Sequence, residues 1–419
     1  MAAALLFASA PLAAADQVRE DQWALEALNA ESVWELSKGS GVTVAVIDDG
    51  VNANHVDLQR NVLEGKDFMD GGDASPDEGD DHGTAMASII AGHGHSGNSG
   101  VMGLAPEAKI LPIRDFGTAG PGLPTSIRYA VDHGASVINV SQCFGSSSQE
   151  EVDKVSDAVA YALSRDVLVV GAAGNEADKG TKCYPAASPG ALGVGAVKND
   201  GYLWEGSNSG DFVSLTAPGS NVVSAKGTGN GYRTASGTSD AAAYVSAAAA
   251  LLRSKFPDLT VGQIANRLVK TAALPESEKD ISLPDKGYGY GIIQPLAALE
   301  KDIPAGSKYG PLTVPDSLKA KTATREIGMT DEEQEKADRK ALIIWSVIGV
   351  VGLAVIGLIV FLIVKRSRRN RGNGDGPGGS GGYPQYGGQS NPYGQPVSMQ
   401  HNPYQQQPTP PRGQWPPQQ

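Results

Sequence analysis

The sequence predicts a doubly wound α/β domain, in which a mostly parallel sheet is flanked by helices. Short β-branched runs alternate along the chain with segments of helical periodicity, and this alternation is typical of a parallel sheet covered by helices. The runs are apolar almost throughout, as expected of strands buried on both faces. With 419 residues, of which 40% are hydrophobic, the chain can bury one large core and still carry further segments.

The predicted strands extend from residue 42 to residue 216. The first, Val42–Ile47, is a β-branched run that ends at Asp48. The other runs of this kind are Ile110–Ile113, Val137–Val140, Val167–Gly171, Leu192–Val197 and Val213–Thr216. Ligands of doubly wound sheets bind outside the carboxyl ends of the strands. Polar residues at or just beyond such ends, namely Asp48, Ser141 and Asn175, are therefore candidates for a functional site.

Helices are predicted before, between and after these strands. Short amphipathic turns are expected over Gln22–Ser37, and an alanine-rich segment from Ser239 to Lys255 contains no helix breaker before Pro257. Alanine has the highest helix propensity, so this segment should form one long helix. The other predicted helices are His82–Ile90, Pro124–His133, Glu150–Arg165, Val261–Ala272 and Pro295–Glu300. The globular region is therefore predicted to close near residue 300.

Both ends of the chain predict export and a membrane anchor. Residues 1–15 form a short apolar segment that closes on small residues, which is typical of a signal peptide. Residues 341–364 carry no charge, and at ~1.5 Å per residue a helix over this range would be ~36 Å long, enough to span a membrane. Basic residues follow directly, at Lys365, Arg366, Arg368, Arg369 and Arg371. The positive-inside rule therefore places the tail in the cytoplasm.

Composition constrains the partners and the redox state. The net charge of −12 gives no reason to expect a nucleic-acid partner. Two cysteines in a long chain fit either a reduced cytosolic protein or an exported protein with one bridge. The predicted export favours the bridge, and Cys143 and Cys183 both follow segments that should reach the rim of the site.

Four side chains on separate segments have the chemistry of a serine hydrolase. Ser239 begins the alanine-rich helix, where unpaired N–H groups and the helix dipole suit an oxygen nucleophile and its oxyanion, although serine is also a common N-cap. His82 is a suitable base, and the carboxylate of Asp48 can fix its tautomer. Asn175 can direct an amide N–H at the oxyanion, an interaction of roughly 3–4 kcal/mol.

These segments resemble the motifs of the subtilisin-like serine proteases. The shared motifs lie at Asp48-Asp49-Gly50, His82-Gly83-Thr84, Ala173-Gly174-Asn175 and Gly237-Thr238-Ser239, and the order Asp, His, Ser is that of the family. The resemblance covers about residues 20–300. It implies that Ser239 is the nucleophile, His82 the general base and acid, Asp48 its orienting carboxylate and Asn175 the oxyanion donor. It also implies a substrate-binding edge formed by Ser141, Gln142, Ala172, Ala173 and Gly174, and no cofactor or metal.

Within this family the plan of the chain is similar to that of the mycosins, the membrane-anchored proteases of actinobacterial type VII secretion systems. That plan comprises a signal peptide (1–15), a peptidase domain (16–300), a linker (301–340), one transmembrane helix (341–364), a disordered Gly/Pro/Gln/Tyr-rich cytoplasmic tail (365–419) and a bridge between Cys143 and Cys183. The resemblance implies an extracytoplasmic endopeptidase that cleaves protein substrates through an acyl-enzyme and is associated with a type VII secretion membrane complex. The alternative is a subunit that mainly stabilises such a complex, with weak or dispensable protease activity.

Three residues depart from the family pattern. Asp49 stands where Ser or Thr is usual, Asp240 stands where the residue after the nucleophile is often apolar, and Ala243 stands where many members have proline. Successive helical positions point ~100° apart. The side chain of Asp240 is therefore predicted to turn away from the cleft, into hydrogen bonds with neighbouring loops.

Several histidines and an acidic loop are possible metal ligands, but their spacing in the sequence does not predict a metal site. His93 and His95 lie in a Gly/Ser-rich stretch interpreted as a flexible loop, and no further ligand follows at zinc-site spacing. His55 and His133 are interpreted as surface residues. The acidic loop 70–81 lacks the spacing of an EF-hand. It is interpreted as a solvated loop beside the cleft that favours basic residues in the substrate.

Overall fold

The computed structural model describes residues 17–96, 99–116, 122–143 and 148–319. All of these residues lie in the first of two compact units, Met1–Glu332. The predicted signal peptide, transmembrane segment and tail lie outside the described residues. Within the described ranges, no helix is both long and apolar enough to span a lipid bilayer.

The strands lie between residues 43 and 235. In chain order they are β1 (Thr43–Asp48), β2 (Lys66–Asp67), β3 (His93–His95), β4 (Ser99–Met102), β5 (Lys109–Arg114), β6 (Val137–Val140), β7 (Leu168–Ala172), β8 (Ala191–Val197), β9 (Val213–Pro218), β10 (Val222–Ala225) and β11 (Tyr232–Ala235). Seven of them form one sheet in the order β2-β5-β1-β6-β7-β8-β9, and all neighbours in it are parallel. Strands β2 and β5 lie on one side of β1, and strands β6 to β9 lie on its other side. The strand order therefore reverses at β1, and ligands of doubly wound sheets bind at such a point.

The helices cover both faces of this sheet. In chain order they are α1 (Trp23–Ala27), α2 (Ala30–Leu36), α3 (His82–Ala91), α4 (Leu123–Asp132), α5 (Gln149–Ser164), α6 (Thr238–Lys255), α7 (Val261–Thr271) and α8 (Pro295–Glu300). One core lies under α4 and α5, and the larger core lies under the other helices. Along β1, Val44 and Val46 enter the larger core while Ala45 and Ile47 enter the smaller one, because successive strand residues point to opposite faces. The predicted fold class is confirmed for this domain.

Helix α6 is the centre of the larger core. Its residues from Thr238 to Leu252 are all buried, and it packs against strands β6 to β9 and against α3. Its many alanines carry no bulky side chain, so the helix backbone can lie close to the sheet. Arg253 and Lys255 occupy its last turn, where positive charge is favourable to the helix dipole. Ser239, in the first turn of α6, is thus held in place by a helix that is buried along most of its length.

Two histidine interpretations were wrong. His93 and His95 lie in β3, which pairs with β4 as an antiparallel hairpin, rather than in a flexible loop. His55 is completely buried, and its ring packs edge-on against Tyr232 with centroids 5.6 Å apart. The reason is tertiary, because the β10–β11 hairpin that carries Tyr232 covers a residue far away in the sequence. His133 is exposed, as expected.

The domain continues beyond residue 300. Leu312 and Leu318 are buried in the same core as α6 and α7, and Thr260 Oγ1 donates a hydrogen bond to Lys308 O at 2.5 Å. Part of the segment predicted as a linker therefore packs on the domain. The rest of that segment lies outside the described residues.

Candidate active site

Asp48 and His82 form a hydrogen-bonded pair at the carboxyl edge of the sheet. Asp48 is the last residue of β1 and His82 the first residue of α3. His82 Nδ1 lies 2.7 Å from Asp48 Oδ1, and the carboxylate is buried while the imidazole remains partly exposed. A buried carboxylate on Nδ1 holds the proton there and leaves Nε2 free to act on a substrate or nucleophile.

Ser239 occupies the first turn of α6 and is buried. Its hydroxyl Oγ donates a hydrogen bond to Ser141 O at 3.0 Å, and Ser141 Oγ in turn donates to Ser239 O at 3.1 Å. No hydrogen bond joins Ser239 to His82 among the described residues. Active-site hydrogen bonds often form only once substrate is bound. The distances show that Ser239 is held against the residue that follows β6.

Asn175 is attached to the start of the same helix. Its Oδ1 accepts hydrogen bonds from Thr238 N at 2.8 Å and from Thr238 Oγ1 at 2.9 Å. A Cβ built on Gly237 would lie 3.5 Å from Asn175 Nδ2, which places the amide donor beside the turn that leads to Ser239. The acceptor end of the amide is thus engaged, and Nδ2 is available to donate.

The predicted substrate-binding residues line the same edge. Ala172 ends β7, and Gly174 N donates to Thr238 Oγ1 at 3.0 Å. Gly174 has a φ of 107°, and a Cβ there would lie 2.2 Å from Asn208 Nδ2, so this turn requires glycine. The side chain of Gln142 donates to Ile47 O at 3.3 Å and to Asp115 O at 2.8 Å. That side chain is therefore committed to the ends of the strands rather than to a substrate.

A disulfide joins two walls of this edge. Cys143 follows Gln142, and it is bonded to Cys183 with a Cα–Cα distance of 5.1 Å. Cys183 Sγ also lies 3.2 Å from Ala172 O, at the end of β7. A bridge across 40 residues is worth about 2–4 kcal/mol of stability. Its position makes it a restraint on the cleft.

Several residues of the site are absent from the sequence-based prediction. A buried chain of hydrogen bonds runs from Ser246 Oγ to Asn139 Oδ1 at 3.0 Å and from Asn139 Nδ2 to Ser141 Oγ at 2.9 Å. Thr238 holds Asn175, as described above. The polar Asn139 within the otherwise apolar strand β6 was the one signal in the sequence that could have revealed this network.

The acidic loop before α3 is neutralised in part from within the protein. The guanidinium of Arg114, at the end of β5, pairs with Asp67, with Asp70 and with Asp77. These contacts raise the pKa of Arg114, the hydrogen bond to Asp70 first. In the described part of the chain, no group of three or more His, Cys, Asp or Glu side chains is arranged to hold a metal ion.

The hydrogen bonds predicted between Asp240 and neighbouring loops are not found among the described residues. The residue is 2% exposed, and its Oδ1 is a buried oxygen with no hydrogen-bond partner among the described residues. A Cβ on Gly237 would lie 3.4 Å from Asp240 Oδ2, so the carboxylate lies next to the turn of the nucleophile rather than in hydrogen bonds with other loops. Because it is buried, the pKa of Asp240 rises to about 6, although the charges of His82 and Arg233 oppose the rise.

The charge on His82 is governed by three carboxylates. Burial by itself would lower the pKa of His82, but Asp48, by its charge and its hydrogen bond, and the charges of Asp240 and Asp49 raise it to about 9. A general base works only in its neutral form. The imidazole therefore becomes available as a base as the pH rises towards 9.

We expect kcat/KM to rise with pH between about pH 7 and the pKa of about 9, because kcat/KM reports ionisations of the free enzyme. Asp240→Asn removes one charge that favours imidazolium, so the rising limb should move to lower pH. Each half unit of displacement raises kcat/KM at pH 7 by ~3-fold. The measurement is a full pH profile of kcat/KM for both proteins.

The matched control for this prediction is Asp153→Asn. It removes the same charge from an exposed position on α5, a helix that lies over the smaller core. Its pH profile should match that of the unmodified protein. An unchanged rising limb in Asp240→Asn would contradict the electrostatic role of Asp240.

Comparisons with a family model and with known proteins all point to one protein family. The model of the subtilase family, peptidase S8, matches residues 39–291. Mycosin-1 of Mycolicibacterium smegmatis is 32% identical over 348 residues, covering 70% of this chain and 75% of that protein. An intracellular serine protease of Paenibacillus polymyxa is 35% identical over 280 residues, covering 63% of this chain and 84% of the relative.

Solved structures agree with the sequence relatives. The crystal structure of MycP1 from the ESX-1 type VII secretion system matches with a TM-score of 0.61 at 30% identity, covering 70% of this chain and 88% of that chain. The family match spans β1 to the segment after α7, which includes Asp48, His82, Asn175 and Ser239. The chain therefore belongs to the subtilase family and is a subtilisin-like serine endopeptidase, with mycosins among its relatives.

Proposed function

We propose that this protein is a membrane-anchored endopeptidase that cleaves protein substrates outside the cytoplasm, in association with a type VII secretion complex. The observation that carries the catalytic part is the 2.7 Å contact between Asp48 Oδ1 and His82 Nδ1. This contact joins the end of β1 to the start of α3, at the carboxyl edge of the sheet where Ser239 and Asn175 also lie. The relation to mycosin-1 and to MycP1 supports the secretion part of the proposal.

In the proposed mechanism Ser239 forms an acyl-enzyme. Rotation of its hydroxyl away from Ser141 O brings Oγ to His82 Nε2, which takes the proton as Oγ attacks the peptide carbonyl. The tetrahedral oxyanion receives hydrogen bonds from Asn175 Nδ2 and from the backbone N–H of Ser239. His82 then passes the proton to the leaving amine, and water, activated by the same imidazole, hydrolyses the ester. Asp48 stabilises the imidazolium in both steps.

The proposed membrane anchor rests on the sequence of the C-terminal part. Residues 341–364 are uncharged and are followed by a basic cluster, a combination that fits one span with the tail in the cytoplasm. The apolar residues 1–15 fit an export signal. In this arrangement the peptidase domain lies outside the cytoplasm and the tail inside.

The placement is tested with full-length protein tagged at its C-terminus. We expect the protein in the membrane fraction after alkaline extraction. Protease added to intact spheroplasts should digest the peptidase domain and leave the tagged tail, and Ser239→Ala should give the same result because placement does not require catalysis. Recovery in the soluble fraction, or digestion of the tag in intact spheroplasts, would contradict the proposed placement.

The alternative function, a stabilising subunit of a secretion complex, has two observations in its favour. Ser239 Oγ donates to Ser141 O rather than to His82, and the raised pKa of His82, to about 9, reduces the neutral base at pH 7. A strain that carries Ser239→Ala separates the two functions. Cargo export continues in that strain if the role is structural, and it is lost or altered if cleavage is the function.

A further inference from the structure

The carboxylate that follows Asp48 in the chain binds the helix that carries His82. Asp49 Oδ2 accepts a hydrogen bond from His82 N at 3.0 Å, and Asp49 Oδ1 accepts one from Gly83 N at 2.6 Å. Both donors belong to the first turn of α3, where backbone N–H groups have no partner within the helix. Asp49 is buried, with 7% of its surface exposed. It therefore caps α3 from the end of a neighbouring strand.

The residue that precedes α3 does not supply this cap. Asp81 occupies the N-cap position, but its side chain makes no capping hydrogen bond to the helix. Its Oδ1 accepts a hydrogen bond from Gly227 N at 2.7 Å instead. The start of α3 is thus fixed by Asp49, which lies 33 residues before His82 in the sequence.

Two further contacts show that α3 and the end of β1 are closely fitted. A Cβ on Gly83 would lie 2.3 Å from Gly50 O and 2.9 Å from Asp48 Cβ, so only glycine allows this approach. Asn52 N also donates to Thr84 Oγ1 at 2.9 Å. Residues 49 to 52 therefore hold three successive residues of α3.

We propose that Asp49 is a positioning residue for the catalytic pair, which sets the distance between His82 and Asp48 by binding the first turn of α3. Asp48 and Asp49 are adjacent, and they hold His82 at two points, its ring Nδ1 and its backbone N. A carboxylate suits this position because each of its two oxygens accepts a hydrogen bond from one of the two N–H groups. The inference rests on the proposed function in one respect, the role of His82 as general base.

The ionisation of Asp49 agrees with this role. Burial and the charge of Asp48 raise its pKa to about 6, while the hydrogen bonds from Gly83 and His82 and the charge of His82 oppose the rise. At pH 8 the carboxylate is therefore ionised, and both oxygens accept. The other charged group that acts on His82 is Asp240, on α6.

The test compares Asp49→Ala and Asp49→Asn with the control Asp153→Asn. Asparagine has one acceptor oxygen, so it can keep only one of the two hydrogen bonds, whereas Asp153→Asn removes a negative charge from an exposed position on α5. Activity is measured as kcat and KM at pH 8 with a fluorogenic peptide. The downfield proton resonance of His82 Nδ1–H is recorded in each variant combined with Ser239→Ala, which prevents self-cleavage.

We expect Asp49→Ala to lower kcat by about 10- to 100-fold, the size of effect that follows a misplaced catalytic group, with KM little changed. The downfield resonance should weaken and broaden, because the hydrogen bond to Asp48 is no longer held. Asp49→Asn should lie between this variant and the unmodified protein. Asp153→Asn should keep both kcat and the resonance.

Three results would overturn the inference: an unchanged kcat in Asp49→Ala, a lowered kcat with an unaltered resonance, or an equal loss in Asp153→Asn. If Asp49→Ala is unfolded at the assay temperature, Asp49→Asn decides, because a lowered kcat together with a weakened resonance supports the inference and no change overturns it. Failure of the proposed function gives a different pattern. The unmodified protein would then show no hydrolysis, while its resonance would still depend on Asp49.

Discussion

Replacing Ser239 by alanine is expected to lower kcat by roughly 10⁶-fold, the size of loss that follows removal of a nucleophile acting in concert with its base. Ser239 lies in the first turn of α6, and the turn before it also holds Asn175 through Thr238. No neighbouring hydroxyl is placed to substitute for it within this turn, because Thr238 Oγ1 is engaged by Asn175 Oδ1. The measurement is single-turnover and steady-state hydrolysis of a peptide substrate.

The control for this prediction is Ser254→Ala, the same change near the other end of α6. Ser254 Oγ donates to Ser40 O at 2.7 Å, remote from the catalytic turn, so kcat should be unaffected. Adding His82→Ala to Ser239→Ala should cost little more, because the two residues act in one step. Multiplicative losses in the double variant would contradict the assignment of nucleophile and base.

Replacing Asn175 by alanine is expected to lower kcat by ~10²–10³-fold while KM changes little. The amide donor serves an oxyanion that exists only in the transition state, so its loss leaves binding of the ground state almost intact. The hydrogen bonds from Thr238 to Asn175 Oδ1, at 2.8 and 2.9 Å, fix the amide so that Nδ2 is the free end. The measurement is the separate determination of kcat and KM.

Asn266→Ala provides the matched control for Asn175→Ala. Asn266 lies on α7 and donates from Nδ2 to Pro304 O at 3.3 Å, away from the catalytic edge. Its kcat should equal that of the unmodified protein. A rise in KM at constant kcat for Asn175→Ala would show that the side chain binds substrate rather than the oxyanion.

The strands and helices of the domain were predictable because their signals are local. The β-branched run before Asp48 became β1, Val137–Val140 became β6 with the same limits, and the alanine-rich segment became α6. Periodicity is a property of neighbouring residues, and burial on both faces is imposed on the whole strand. The two hairpins, β3–β4 and β10–β11, were missed. Their strands include polar residues such as His95 and Arg233, and pairing with a partner strand outweighs such weak local preferences.

The membership of the catalytic site was also readable from the sequence, but its details were not. Asp48 stands at the end of a recognisable strand, and His82 and Ser239 stand at the starts of recognisable helices. These strand ends and helix starts predicted the edge of the sheet where the three residues lie. The directions of Asp49 and Asp240 could not be predicted. The side chain of Asp49 binds backbone N–H groups of a distant segment. The Oδ1 atom of Asp240 is buried without a hydrogen-bond partner among the described residues.

The sequence by itself thus determined most strands of the main sheet and the long helices, the chemical types in the site and the family to which the chain belongs. Only the tertiary structure decided that Asp49 caps α3, that the carboxylate of Asp240 is buried beside the nucleophile and that His55 lies in the interior. The physical reason is the range of the interactions. Hydrophobic periodicity and helix propensity act between residues a few positions apart, whereas burial of charge and hydrogen bonding across loops depend on which remote segments the fold brings into contact.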